Sequence, residues 1–237
     1  MESQILGIDF GTTYTVISVF KNNKSEIFKI NNNFLIPSEV LIKNNTYFCG
    51  YQISINEEGH LIKNFKTKIG SNYYYNFKNI KIHVNQVISI FLKYIKKLIN
   101  LSKNNNTVIS VPSNFTNNQI IILKNIFSEI GFNIIRIVNE PTSAAISYGL
   151  SDICNQEDKI LVFDIGGGTL DITILEKDEL FFEVVESVGN QHLGGKDFTN
   201  VIFDDIKLNF GLENFNYYEK NILWKKCNIA KEMFIFK

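Results

Sequence analysis

The sequence predicts an α/β protein built from two similar lobes that face one another. Three observations carry that expectation. Apolar, β-branched runs alternate with helical periodicities, which argues for central sheets covered by helices. One pattern of strand, aspartate, glycine turn, hydroxyl and strand occurs twice, and a repeated unit predicts repeated structure. At 237 residues, 45% hydrophobic and 20% charged, the chain can bury one large core or two smaller ones and is too apolar to be disordered.

The first copy runs Ile5-Leu6-Gly7-Ile8-Asp9-Phe10-Gly11-Thr12-Thr13 and continues from Tyr14 to Phe20. The second runs Ile160-Leu161-Val162-Phe163-Asp164-Ile165-Gly166-Gly167-Gly168-Thr169 and continues from Leu170 to Leu175. Each reads as a β-hairpin whose turn carries the chemistry. Further strands are expected over Glu26 to Ile30, Ile36 to Ile42, Thr107 to Val111, Ile134 to Val138 and Glu179 to Val188. Helical periodicity covers Val84 to Leu101, Asn117 to Ile130, Pro141 to Tyr148, Gly195 to Asn209 and Tyr217 to Phe234. Thr116 suits an N-cap, and Pro141 with Gly149 gives the start-proline, end-glycine order of a helix. Asn44 to Lys81 is the least patterned stretch and reads as a peripheral insertion, and the tracts Asn31-Asn33 and Asn104-Asn106 read as loops. The expected lobes are residues 1–150, with a reduced outer subdomain at about 38–106, and 151–237.

Composition excludes several classes. The 24 Lys+Arg against 24 Asp+Glu give no electrostatic case for nucleic acid or an anionic membrane. No apolar run is long enough to span a bilayer, and the first residues do not form a signal peptide, so a soluble, cytoplasmic protein is expected. Cys49, Cys154 and Cys227 are isolated and read as apolar packers, and His60, His83 and His192 lack metal-ligand spacing. Alanine occurs only at Ala144, Ala145 and Ala230, and arginine only at Arg136. That bias reads as drift toward Asn, Ile and Lys.

Asp164-Ile165-Gly166-Gly167-Gly168-Thr169-Leu170-Asp171 is the most informative stretch. Three glycines let backbone amides reach an anion that a Cβ would keep away. Flanking carboxylates repel phosphate unless a cation lies between, and Mg²⁺ keeps several waters while held by one or two carboxylates and phosphate oxygens. Taken alone the triplet is as well explained by a tight hairpin turn; the second copy shifts the balance. Asp9-Phe10-Gly11-Thr12-Thr13 would be the opposing clamp. Neither loop is a Walker A sequence or a GxGxxG opening a helix, which disfavours the P-loop and Rossmann classes.

Two hairpin loops closing on one nucleotide resemble the actin, sugar-kinase and heat-shock chaperone ATPase superfamily. Val138-Asn139-Glu140-Pro141-Thr142-Ser143-Ala144-Ala145-Ile146-Ser147-Tyr148-Gly149, His192-Leu193-Gly194-Gly195-Lys196-Asp197-Phe198 and Ile109-Ser110-Val111-Pro112 resemble signatures of the seventy-kilodalton heat-shock chaperones, the DnaK and HscA family. The resemblance implies an actin-like fold of duplicated, ribonuclease-H-like lobes that binds ATP or ADP with Mg²⁺ and, in this family, K⁺. It implies a first phosphate loop of Gly11, Thr12, Thr13 and Tyr14 and a second of Gly166, Gly167, Gly168 and Thr169, with Gly194 and Gly195 near the nucleotide. By the same resemblance Asp9, Glu140, Asp164 and Asp171 organise the hydrated cations. Lys66 is the better match to the catalytic lysine, with Lys68 its competitor, and such a lysine stabilises charge at the γ-phosphate.

The sequence departs from the family in several places. The resemblance implies an incomplete second lobe with no adenosine pocket, and no peptide-binding domain for clients. Leu223 to Glu232 resembles the helix that opens the outer part of that lobe, and Leu223, Trp224, Ile229 and Phe234 are expected to expose apolar surface. Ile120 stands where the family carries a relay arginine. Arg136 matches an arginine on the surface where J-domain co-chaperones dock, with Asn139 beside it; a guanidinium fork is not replaceable by lysine. A nucleotide exchange factor is a further implied partner. Three functions stay open: a chaperone-type ATPase, a non-catalytic module that binds co-chaperones, and another member of the superfamily.

Overall fold

The computed structural model describes residues 4–30, 32–54, 57–77, 80–99, 106–149, 157–179, 181–190, 192–212 and 214–235. Its first unit starts with an antiparallel meander of β1 (Ile5–Phe10), β2 (Tyr14–Lys21) and β3 (Lys24–Ile27). Asn22 and Asn23 take φ of 52° and 57° between the paired Lys21 and Lys24, the two left-handed residues that a tight hairpin turn demands. The short β4 (Ile36–Pro37) adds to β2, and β5 (Val40–Lys43), β6 (Thr46–Cys49) and β7 (His60–Ile62) form a separate three-stranded sheet. A second two-residue asparagine turn, Asn44-Asn45, joins β5 to β6.

A hairpin of β8 (Tyr74–Phe77) and β9 (Ile80–His83) leads into helix α1 (Val84–Ile99). Val84, Val87, Ile88, Phe91, Leu92, Ile95 and Ile99 of α1 are buried, the three-and-four spacing of a helix laid on a core. Then β10 (Asn106–Val111), α2 (Asn117–Ile130) and β11 (Asn133–Asn139) complete the first sheet. Its order is β11-β10-β1-β2-β3, with β10 parallel to β1 and β11 parallel to β10. Thr116 caps α2 and Gln119 returns the bond, while Gly131 closes the helix at φ 92°.

Helix α3 (Glu140–Gly149) precedes the second meander of β12 (Glu157–Ile165), β13 (Leu170–Asp178) and β14 (Phe181–Asn190). This sheet repeats β1–β2–β3, as the duplicated sequence predicts: Asp9 pairs with Val16 across the first hairpin and Asp164 with Asp171 across the second. Ala145 of α3 packs with Ile160 and Leu175, so α3 lies on the second sheet although it falls before residue 150. The opposite face of β12 leaves Leu161 and Phe163 64% and 61% exposed. Helices α4 (Gly195–Asn209) and α5 (Tyr217–Ile235) pack on each other.

The large core belongs to the first unit and draws Ile36, Val40, Ile42, Cys49, Ile62, Phe65 and Ile69 together with α1 and α2. The stretch from Asn44 to Lys81 is therefore a core contributor, not a peripheral insertion. It shows no sequence period because its strands are three or four residues long, too short for alternation to register. The run Ile36 to Ile42 is two strands because Ser38 turns aside to bond loop backbone. Asn106 begins β10 instead of a loop; Asn31, Asn104, Asn105 and Cys154 lie outside the described residues.

Cys49 and Cys227 are buried and free, as expected of packers, and burial pushes the Cys49 thiol up to about 12. On α5, Ile229 and Phe234 are exposed. Trp224 is instead covered: Lys63 Nζ sits 4.4 Å from its ring centre and Asn200 Oδ1 accepts its N–H at 2.7 Å. Lys63 also pairs with Glu39 at 2.9 Å, and the Tyr14 hydroxyl donates to Glu232 at 3.4 Å, so α5 bridges back to the first unit. No helix among the described residues is long and apolar enough to cross a membrane.

Candidate functional site

The first loop joins β1 to β2. A Cβ on Gly11 would strike the Tyr14 carbonyl, which makes glycine a requirement of the turn. Ser38 holds the loop from outside: its Oγ donates to the Gly11 carbonyl at 2.8 Å and its amide to the Thr13 carbonyl at 2.8 Å. The second loop closes when Gly166 N donates to Thr169 O at 2.9 Å, and the first amides of α4 fasten it from behind. Gly195 N donates to Gly166 O and Lys196 N to Gly167 O, both at 2.9 Å.

These loops meet. A Cβ on Gly167 would lie 2.7 Å from Thr13 Cβ, and one on Gly194 would lie 2.6 Å from Gly168 N. Between and beside them is a cavity of about 330 Å³ lined by Asp9, Gly11, Thr12, Thr13, Tyr14, Lys66, Glu140, Asp164, Gly166, Gly167 and Thr169, all anticipated from sequence. Gly168 of the second loop and Gly194 and Gly195 behind it do not line the cavity.

Phe65 positions Lys66. Its ring is buried between Phe10 and Phe91, with centroids 6.0 and 5.5 Å away, and the turn Phe65–Lys68 is tied to α2 by Gln119 Nε2 donating to Ile69 O at 3.1 Å. The Lys66 side chain is only 5% exposed, and its Nζ meets Glu140 Oε1 at 2.6 Å. Removing either partner of so buried a pair strands the other charge, at a cost of about 3–5 kcal/mol. Lys68, the competitor, is exposed and stands over the Tyr73 ring.

The carboxylates repel one another. Asp164 is raised above the usual carboxylate range by burial, then by the charges of Asp171 and Asp9. Glu140 is raised by burial, against which Lys66 pulls down. Asp9 Oδ1 accepts from Ser110 Oγ at 2.8 Å. Asp171 is 4% exposed and lies behind the cavity wall, where Ser113 Oγ and Asn114 Nδ2 of the other lobe reach its Oδ1 at 3.3 and 3.5 Å. Among the described residues no three His, Cys, Asp or Glu side chains form a metal cage. The donor set fits a cation that keeps its own waters, because mutually repelling carboxylates favour a positive charge held at second hand.

Sequence reasoning missed Thr67, Asn114, Phe115, Gln119 and Lys196 in the lining. Lys196 stood inside a quoted motif, and Asn114 and Phe115 directly follow Val111-Pro112-Ser113; the signal was adjacency to motifs already found. Arg136 and Asn139 are exposed on β11, and neither lines the cavity.

Two glycine turns from repeated meanders, closing on one cavity with a buried lysine and opposed carboxylates, define the class: an α/β domain with a polar cavity between paired glycine loops. Comparison with family models matches residues 74–232 to the Hsp70 protein family. Curated relatives include the chaperone protein DnaK of Metamycoplasma hominis, 35% identical over 206 residues, and that of Mycoplasmopsis pulmonis, 34% identical over 208 residues. Each alignment covers 84% of this chain and 34% of the relative, so the chain spans about a third of the length of those proteins. The chain belongs to the Hsp70 family, and its matched stretch is that of an Hsp70-type chaperone ATP-binding domain.

Proposed function

We propose that the cavity between the two loops binds ATP and ADP with hydrated Mg²⁺, and that the chain hydrolyses ATP within a chaperone of the Hsp70 type. The observation that carries this reading is the meeting of Gly167 with Thr13 beside the Lys66–Glu140 pair. Duplicated meanders and the β11-β10-β1-β2-β3 order support an actin-like fold with lobes near 1–150 and 151–237. Gly11 to Tyr14 and Gly166 to Thr169 hold phosphate oxygens, backed by Gly194 and Gly195. Asp9 and Asp164 hold Mg²⁺ through its waters, with Asp171 behind them; K⁺ draws on the same carboxylates. Bound there, the cation offsets phosphate charge. Lys66 Nζ stabilises charge developing on the γ-phosphate during in-line attack by water, and Glu140 Oε1 orients that ammonium.

A second reading, a non-catalytic module for J-domain proteins or exchange factors, draws on Arg136 and Asn139, which stand exposed on β11 away from the cavity. Calorimetry with Mg·ATP and Mg·ADP tests the first. Binding is expected with the parent and is weakened at least about tenfold, or 1.4 kcal/mol, by Asp9→Asn. No heat at millimolar nucleotide would sink the ATPase reading.

A further inference from the structure

We propose that Lys196 is a phosphate ligand of this cavity, a second ammonium whose task is to retain the nucleotide. The inference rests on the nucleotide-binding reading above and names a residue of that site.

Lys196 is the second residue of α4, and its own amide donates to Gly167 O at 2.9 Å, so its backbone is fixed to the second loop. Its side chain lines the cavity. Lys196 Nζ lies 3.5 Å from the place a Cβ on Gly168 would occupy; Thr12 Cγ2 approaches that point at 3.2 Å and Thr67 Cγ2 at 3.6 Å. The ammonium therefore stands where the first loop, the second loop and the turn bearing Lys66 converge.

Among the described residues, three lysines line the cavity: Lys66, Lys68 and Lys196. Lys66 is bound to Glu140, and Lys68 is exposed over Tyr73. Lys196 is half-buried, and among the described residues no carboxylate lies within ion-pair distance of it. Its neighbour Asp197 is committed to Gly194 N at 2.8 Å. A cation in the first turn of a helix faces the positive end of the helix dipole, an unfavourable placement. An anion at that end reverses the sign: it is drawn by the dipole and by the ammonium together. A nucleoside di- or triphosphate supplies such an anion, and because Lys196 attends the second loop rather than Lys66, its contact serves ADP as well as ATP.

The test is calorimetry of Mg·ADP and Mg·ATP binding to the full chain and to Lys196→Gln, at two KCl concentrations. The affinities for ADP and ATP are expected to fall together by about tenfold, to depend less steeply on salt than the parent's, and to be restored by Lys196→Arg. If Lys196→Gln does not fold, Lys196→Met, which keeps the stem's packing, replaces it. A parent that binds and a Gln variant that binds equally well overturn this inference alone. Failure of Lys196→Arg to restore binding also overturns it, since packing would then explain the loss. A parent that binds no nucleotide overturns this inference and the ATPase reading together.

Discussion

Lys66→Ala is expected to lower ATP turnover by about a hundred- to a thousandfold, the range for removing one preorganised donor to developing charge, while nucleotide affinity is expected to fall by less than about tenfold. The asymmetry follows from where the lysine sits. Its side chain is buried, with the ammonium beside the Phe10 ring and held by Glu140 at 2.6 Å, so its geometry is set before any ligand arrives and costs no reorganisation at the moment of reaction. In the proposed complex the ground-state phosphates rest on loop backbone that the substitution leaves in place. Single-turnover kinetics beside equilibrium binding reads both quantities. An equal loss of turnover in Lys68→Ala would move the role to Lys68, which the exposed position of that residue argues against. A fall in affinity as large as the fall in turnover would make Lys66 a binding residue only.

Asp164→Asn stabilises the ligand-free protein and cripples its binding of Mg·ATP. In the ligand-free state Asp164 is half-buried beside the charges of Asp171 and Asp9, and a neutral amide removes that repulsion. The sign follows from linkage. A carboxyl raised in the folded state binds more protons folded than unfolded, so its contribution to stability is full below the usual carboxylate range and declines as pH climbs through that range to the raised value. Above that window the parent carries the full repulsion and the Asn variant does not. The unfolding midpoint of Asp164→Asn near neutral pH is expected to exceed the parent's by about 2–4 °C, which at this length corresponds to about 1 kcal/mol. The gain shrinks in acid, below the carboxylate range. Differential scanning calorimetry across pH checks this, and a variant less stable than the parent at neutral pH would refute it. That outcome would mark a site whose charges favour a bound cation at the expense of the empty fold.

Much of this was legible in the sequence for particular physical reasons. The limits of α2 and α4 agree with expectation to the residue, because Thr116, Gly131 and the Gly194-Gly195 start are local signals that need no tertiary context. Both loops were legible because they repeat. The outer part of the first unit was not: β6 to β9 are short, and Ile62 and Phe65 enter the core without a period. The split at Ser38 was invisible too, since its cause is a long-range bond to the first loop. The hairpin turns at Asn22-Asn23 and Asn44-Asn45 were not anticipated either, although left-handed backbone there makes asparagine a fitting residue. Lys196 was passed over because nothing local distinguishes it from a surface lysine; its position becomes informative only when the second loop and α4 are seen fastened together.

Trp224 is the chain's one tryptophan, and the ammonium over its ring comes from Lys63, beyond the first loop and far from α5 in sequence. That arrangement makes the protein its own optical gauge. Indole emission responds to a cation at its face, so intrinsic fluorescence reports the distance between α5 and the first unit without any label. Nucleotide that alters this separation will change the emission, and Lys63→Met will abolish the change while leaving Trp224 in place. An emission change undiminished in Lys63→Met would show that the signal arises elsewhere. Stopped-flow mixing can then time any such nucleotide-dependent change in a chain of wholly natural residues.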